Sequence, residues 1–227
     1  MSDPALTDRL EEIRAVVATR QQAGGWTHAV RIVAVTKGHG PSAVVAAADA
    51  GLDAVGENRV QEALAKQEQC AGLPIEWHLI GTLQKNKARL VAGRFAVIHS
   101  IDRLDLAVEV ARRTPVGTRQ QVLVQVNCSG EAQKGGVLPR ELAALLDGMR
   151  ALPSLELKGL MTMAEFSDDE QVQRGAFGQL RALRDVMTRE GHQLPELSMG
   201  MSGDYGAAVA EGATMLRLGS ILFGPRG

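Results

Sequence analysis

A lysine stands at the end of an apolar run in the stretch VAVTKGHGPSA, residues 33–43, where its amine is placed for covalent chemistry. If this run is a buried strand, Lys37 lies in poorly solvated surroundings that disfavour the ammonium form. A neutral lysine amine can form a Schiff base with an aldehyde. For Lys37 taken alone, however, a side chain whose charge reaches water at the rim is the favoured interpretation.

The same stretch contains a second pattern, because Gly38–Ala43 spells G-x-G-x-x-A. That pattern can hold a pyrophosphate between a strand and a helix. Glu57 lies near the distance at which such folds place a ribose-binding acid. A dinucleotide-binding domain is therefore an alternative, but it gives no role to Arg217 or to the glycine–serine motifs near the C-terminus.

Two short motifs near the C-terminus are suited to bind an anion. The segment GMSGD contains Met201 and Ser202 at the predicted start of a helix, where a hydroxyl and free amides attract negative charge. The segment LGS contains Gly219, which permits close approach of the backbone, and Ser220, which adds a hydroxyl. Either motif alone indicates a helix cap or a tight turn, whereas the two together predict a phosphate site.

Arg217 interrupts the apolar run MLRLGSILFG. A buried guanidinium keeps its proton and must have a partner. One option is an ion pair with Glu57 or another carboxylate, and the other is a hydrogen bond to a ring nitrogen of a ligand. Together, a lysine, a phosphate site and this arginine describe one ligand, pyridoxal 5′-phosphate (PLP).

The elements that would position these residues follow from eight short apolar runs, which are typical of strands buried on both faces of a parallel sheet. The runs are residues 30–37, 52–57, 76–81, 96–101, 121–127, 157–163, 196–202 and 215–224. Helical patterns separate them, and a further helix over about 4–22 precedes the first run. Its residues Leu6, Leu10, Ile13 and Val17 share one face.

Eight strands joined by seven helices predict an α/β protein with the (β/α)8 TIM barrel fold and an extra N-terminal helix, forming one domain over residues 1–227. A doubly wound sheet needs about six strands and a reversal of strand order. In a barrel, the site lies at the carboxyl ends of the strands, and the loops after strands seven and eight commonly bind phosphate. This fold would therefore bring Lys37, Ser202 and Arg217 to one rim.

These motifs resemble those of the pyridoxal phosphate homeostasis proteins, a family related to the N-terminal barrel of the alanine racemases. The matching stretches are VAVTK, VGENRVQE, EWHLIGTLQKNK, SIDRL, VLVQVN, LKGLMTM and LSMGMSGDYGAAVAEGATMLRLGSILFG, which run from about residue 33 to 224. The resemblance implies a fold-type III barrel that carries PLP as a Schiff base on Lys37. It thereby favours Lys37, and not the glycines that follow it, as the functional residue.

The resemblance also implies the remaining contacts to the coenzyme, with Arg217 facing the pyridine nitrogen. The cofactor-binding residues that it indicates are Lys37, Asn58, His78, Met201, Ser202, Arg217, Gly219 and Ser220. Lys134 matches a second lysine of the family, in a mobile loop that assists transfer of the coenzyme. The chain departs from the family pattern in the first loop, where it reads TKGHG instead of SKTKP.

The expected function is that of a carrier and not of an enzyme. An arginine beside the pyridine nitrogen keeps that nitrogen unprotonated, because two adjacent positive charges repel, and the ring becomes a poorer electron sink. Racemisation needs a base on each face of the substrate carbon, and the related racemases complete their site with a second domain. Here the chain ends at Gly227, soon after strand eight, and its only tyrosine, Tyr205, is placed to line the pocket. We expect storage, buffering or delivery of PLP to apo-enzymes, with a small racemase-like enzyme as the alternative.

The composition of the chain excludes several other classes of function. The chain has 227 residues, of which 45% are hydrophobic and 22% charged, and its net charge of −1 does not favour nucleic acid or anionic membranes. Its acidic start is unlike a signal peptide, and its apolar runs are shorter than the roughly 20 residues of a membrane span. Neither the two cysteines nor the histidines have the spacing of metal ligands. We expect a cytoplasmic protein without a metal, and the family likeness favours a monomer.

Overall fold

Eight parallel strands form a closed barrel in the computed structural model, which describes residues 4–224. They pair in chain order, and the eighth strand closes on the first. The strands are β1 Arg31–Val35, β2 Ala54–Glu57, β3 Glu76–Leu79, β4 Val97–Ile101, β5 Gln120–Gln125, β6 Leu155–Met161, β7 Glu196–Ser198 and β8 Met215–Leu218. The predicted (β/α)8 barrel is confirmed, and its closure excludes the doubly wound sheet of the dinucleotide-binding alternative.

Helices follow the strands around the outside of the barrel. They are α1 Pro4–Gly24, α2 Pro41–Asp49, α3 Val60–Gln69, α4 Ala88–Val91, α5 Leu104–Arg113, α6 Leu142–Met149, α7 Glu170–Arg189, α8 Tyr205–Ala210 and α9 Ser220–Phe223. The extra N-terminal helix is α1, which packs against α8. It buries the apolar face that the sequence predicts, Leu6, Leu10, Ile13 and Val17. The run 215–224 is not one strand, because the chain turns at Gly219 and continues as α9.

Side chains alternate along each strand between the barrel interior and the helix layer. On β1, Ile32 and Ala34 join the large apolar cluster between strands and helices, whereas Val33 belongs to a small separate cluster inside the barrel. The interior of such a barrel is usually filled by branched apolar residues. Here polar side chains occupy part of it, and these are His78, His99, Ser198 and Arg217, all buried.

Two features are absent from the part of the chain that the structure describes. No helix within residues 4–224 combines the length and the apolar character that crossing a membrane requires. In the same range, no three or more histidine, cysteine, aspartate or glutamate side chains are grouped so as to hold a metal ion. Cys70 and Cys128 are both free thiols.

A glycine in β6 permits the close packing of that strand against β7. At Gly159 the pairing with β5 has just shifted register. A Cβ atom at this position would lie 1.9 Å from the backbone oxygen of Glu196. Because that oxygen belongs to the neighbouring strand of the barrel, it cannot move aside without displacing β7.

We therefore expect Gly159→Ala to lower the free energy of unfolding by about 2–4 kcal/mol. Urea unfolding followed by circular dichroism measures this change. Gly175→Ala is the matched control, since a Cβ at this helical position meets no atom within 4 Å, and it should raise stability by up to about 1 kcal/mol. Similar effects of the two substitutions would contradict this account of β6.

Candidate functional site

A cavity of about 520 Å³ opens at the carboxyl ends of the strands. This volume lies within the range of small-molecule sites. Lys37 follows β1, Asn58 follows β2 and Arg217 lies near the end of β8, and all three line the cavity. The loops after β7 and β8 contribute the other predicted residues, Met201, Ser202, Gly219 and Ser220. Of the eight residues predicted to bind a cofactor, only His78 is not part of the wall.

Lys37 and Asn58 are positioned by a buried ion pair on the outer side of the strands. Lys66 in α3 donates from Nζ to Glu57 Oε1 at 2.6 Å and to the backbone oxygen of Thr36 at 2.7 Å. The Thr36 hydroxyl donates to the same Glu57 oxygen at 2.6 Å. All three side chains are buried. Because Thr36 precedes Lys37 and Glu57 precedes Asn58, this cluster fixes both strand ends against α3.

The loops after β7 and β8 converge on the hydroxyl of Ser202. Its Oγ accepts hydrogen bonds from the backbone amides of Gly219 and Ile221, each at 3.2 Å. A Cβ at Gly219 would lie 3.2 Å from the backbone oxygen and 3.3 Å from the Cβ of Val35, so a side chain there would press on β1. The two loops therefore bring a hydroxyl and backbone amides to one place beside the cavity, as an anion site requires.

An aspartate that sequence reasoning did not assign shapes the first of these loops. The backbone amide of Met201 donates to Asp204 Oδ1, and Asp204 itself lines the cavity. Burial raises the pKa of the Asp204 carboxyl, while the nearby charges of Arg217 and Lys134 oppose that rise. No pattern of side-chain types marks this role in the sequence, because the carboxylate binds the backbone amide of a residue three positions before it.

Arg217 is buried inside the barrel and is held by uncharged oxygens. One terminal nitrogen donates to Ser198 Oγ at 2.7 Å and the other to the backbone oxygen of Thr162 at 2.8 Å. Burial lowers the pKa of Arg217 to about 10, against the opposing charge of Asp204. The ion pair with Glu57, left open by the sequence, is not formed, since Glu57 pairs with Lys66. Arg217 remains protonated at neutral pH and presents its positive charge at the cavity.

His78 lies in the barrel interior and reaches the cavity only through other side chains. Its Nδ1 is 2.9 Å from Nε2 of His99, and Nδ1 of His99 is 3.0 Å from Ser198 Oγ. Burial lowers the pKa of His78 and lowers that of His99 well below its usual value. Both imidazoles are therefore neutral at pH 7. A direct contact of His78 with a cofactor stays a prediction.

A second amine faces the cavity from the loop after β5. Lys134 lines the cavity, donates to the backbone oxygen of Ala164 and forms an ion pair with Glu131.

The first loop, in which the sequence reads TKGHG, lies close to the loop after β8, because the ring of His39 is 5.5 Å from that of Phe223 in α9. In this loop the chain thus carries a histidine whose ring packs on α9.

The fold and the cavity define a class of protein, the (β/α)8 barrels with a lysine just after the first strand and loops rich in backbone amides and hydroxyls after the last two. The family profile of the alanine racemase N-terminal domain matches residues 9–227. A protein of Pseudomonas aeruginosa named pyridoxal phosphate homeostasis protein is 42% identical over 223 residues, which are 97% of this chain and 96% of that protein. A protein of the same name from Vibrio cholerae is 40% identical over an alignment of 228 positions, which covers 98% of this chain and 97% of that protein. The chain belongs to the family of pyridoxal phosphate homeostasis proteins.

Solved structures agree with this assignment. PipY of Synechococcus elongatus superposes with a TM-score of 0.86 in its structure without PLP, at 37% identity. With PLP bound it superposes at 0.84, at 36% identity, and each comparison covers 96% of this chain and all of that one. An alanine racemase from Clostridium difficile gives a TM-score of 0.79 at 14% identity, over 98% of this chain and 57% of that one, which shows a shared fold.

The ion pair behind Lys37 leads to a prediction about stability. Lys66→Met leaves the Glu57 carboxylate buried without its charged partner, and we expect a loss of about 3–5 kcal/mol in the free energy of unfolding. The double variant Glu57→Gln with Lys66→Met should recover part of this loss, because it removes the buried charge. Urea unfolding measures all three proteins.

The matched control is Lys85→Met. Lys85 also forms an ion pair, with Asp105, but both side chains are about half exposed, at 52% and 53%. An exposed pair contributes about 0–1 kcal/mol. If Lys66→Met costs no more than Lys85→Met, the ion pair does not hold the two strand ends as described.

Proposed function

We propose that this chain binds PLP, holds it as a Schiff base on Lys37 and serves in PLP homeostasis. The observation that carries the proposal is the convergence of three groups on one cavity: the Lys37 amine, the amide-lined loops around Ser202 and the buried charge of Arg217. The names of the relatives, and the PLP bound to PipY, support the same ligand.

The residues fit the coenzyme group by group. The amides at Gly219 and Ile221 and the hydroxyls of Ser202 and Ser220 would hold the phosphate. Arg217 would donate to the pyridine nitrogen, which accepts a hydrogen bond only when unprotonated. Asn58 supports the fit independently, because its Oδ1 is buried without a hydrogen-bond partner among the described residues. A buried polar atom of this kind needs a partner, and here it stands in the cavity wall.

Attachment at Lys37 is reversible chemistry. The neutral Lys37 amine would form a double bond to the aldehyde carbon, and its two protons would leave with the aldehyde oxygen as water. Addition of water to that bond would return the aldehyde and the lysine. PLP supplies an aldehyde and an electron-withdrawing ring when bound, and the Arg217 charge weakens the ring as an electron sink because it disfavours protonation of the pyridine nitrogen.

Reversible attachment at Lys37, together with an arginine that weakens the ring as an electron sink, suits storage of the coenzyme better than catalysis with it. We therefore propose that the protein stores or buffers PLP, or delivers it to apo-enzymes in transient encounters, and does not turn over amino acids efficiently. Lys134 supports delivery, since it places a second amine in the wall of the same cavity.

The test is to titrate the purified protein with PLP, record the visible absorbance band of the Schiff base, reduce with borohydride and map the modified peptide. We expect one adduct, on Lys37. Lys37→Ala should abolish both the band and the adduct, whereas Lys134→Ala, the control that removes the other amine of the cavity, should keep the adduct on Lys37. A wild-type adduct on Lys134 alone, or none, would refute the attachment.

The racemase alternative is decided by a second measurement on the same proteins. Incubation of the PLP-loaded protein with single L-amino acids should leave their configuration unchanged over many minutes. Rapid formation of the D-enantiomer, lost in Lys37→Ala and retained in Lys134→Ala, would replace the carrier proposal by an enzymatic one.

A further inference from the structure

A chain of polar side chains, all buried except the first, crosses the barrel interior from the mouth opposite the cavity. It begins at Glu76, at the start of β3, whose Oε2 is 3.5 Å from Nε2 of His78. From His78 the chain passes to His99 at 2.9 Å, to Ser198 at 3.0 Å and to Arg217 at 2.7 Å. One carboxylate at the far mouth is thus connected to the guanidinium at the cavity.

The single proton on each neutral imidazole restricts the direction of these hydrogen bonds. Each neutral imidazole carries one proton, so its two nitrogens are one donor and one acceptor. Between His78 and His99, one ring must donate and the other accept. Ser198 Oγ already accepts a hydrogen bond from Arg217. Among the described groups, His99 Nδ1 is the acceptor for the Ser198 hydroxyl proton. Only two arrangements satisfy the contact between the rings.

In the first arrangement every donor has an acceptor. The Ser198 hydroxyl donates to His99 Nδ1, His99 Nε2–H donates to His78 Nδ1, and His78 Nε2–H points at the Glu76 carboxylate. In the reversed arrangement, His99 donates to Ser198 and the serine proton has no acceptor among the described groups. A lone pair of His78 would then also face the carboxylate.

The environment of Glu76 favours the first arrangement. The His78 imidazole and the Arg31 guanidinium lower the pKa of the Glu76 carboxyl to about 2, so it is an ionised acceptor at pH 7. Nε2 of His78 is buried and makes no well-formed hydrogen bond in the described part of the chain. The Glu76 carboxylate, 3.5 Å away, is the acceptor beside it. Because an unsatisfied buried N–H is unfavourable, the arrangement that turns this N–H towards the carboxylate is favoured.

We infer that Glu76, acting through His78, His99 and Ser198, fixes the orientation of Arg217, so that Glu76, His78 and His99 are positioning residues for the guanidinium. The direction of the chain holds whether or not a ligand is bound. Its consequence for PLP affinity rests on the proposed function, in which Arg217 meets the ring nitrogen.

The chain direction is tested on the ligand-free protein by long-range proton–nitrogen NMR of the imidazoles. We expect both His78 and His99 to carry their proton on Nε2. Protonation of both rings on Nδ1 would overturn the inference.

A pair of variants tests the role of the carboxylate. Glu76→Gln keeps the shape but presents an amide that can donate as well as accept, and we expect Nδ1-protonated imidazoles to appear beside the original form. Asp53→Asn is the matched control. Asp53 also binds Arg31, at 3.0 Å, and is also solvent-exposed. It has no hydrogen bond or ion pair with His78 among the contacts described, and its charge raises the pKa of His78 less than Glu76 does. Unchanged tautomers in Glu76→Gln, or equal changes in both variants, would overturn the inference.

PLP titration then measures the effect on the cavity. The Kd should rise about three- to tenfold in Glu76→Gln, as expected for one weakened hydrogen bond, and stay within about twofold in Asp53→Asn. Equal Kd values in the two variants would refute the coupling to Arg217. If the wild-type protein forms no adduct on Lys37, the proposed function fails, while the tautomers still decide the direction of the chain.

Discussion

A guanidinium that stays protonated at neutral pH lies inside the eight strands of this barrel. Its need for hydrogen-bond acceptors governs the arrangement of the polar groups around it. Arg217 is 4% exposed and needs acceptors that do not cancel its charge. Ser198 and the backbone of Thr162 supply them, and the polar chain that extends from Ser198 to Glu76 follows from the need to satisfy each further group. The polar side chains of the interior thus form a connected path that ends at this buried cation, while the main apolar core lies between strands and helices.

Closure of the barrel makes the cavity possible. Residues that are more than 160 positions apart in the chain, such as Lys37 and Ser202, line the same wall because β8 pairs with β1 on one side and with β7 on the other. The ion pair of Glu57 and Lys66 fixes one side of this wall, and the hydroxyl of Ser202 links the loops on the other. Lys37 and the loops after β7 and β8 are thus positioned by separate interactions, one on the outer face of the strands and one at the rim.

The sequence predicts the fold well because the strands coincide with eight short, mostly apolar runs, and a run buried on both faces is a strong signal. Seven of the eight residues predicted to bind the cofactor line the cavity, since the end of a strand is readable as the point where the run stops. The sequence did not show that His78 lies in the barrel interior and not in the cavity wall. A matching motif does not indicate how far from the rim a side chain is buried. The partner of Glu57 was hidden for a similar reason: Lys66 lies on a helix whose rotation about its axis only packing decides. Asp204 was overlooked because its role is to bind a backbone amide, which leaves no pattern of side-chain types.

The hydroxyl of Ser202 already accepts hydrogen bonds from Gly219 and Ile221 in the ligand-free barrel. Under the proposed function, a phosphate bound there would exchange with this internal acceptor, and its departure would leave the two amides satisfied. Loading and unloading would then require no refolding of the rim, and much of the affinity gained from the amides would be offset by the loss of their bonds to the serine. Such an exchange would weaken binding and ease release.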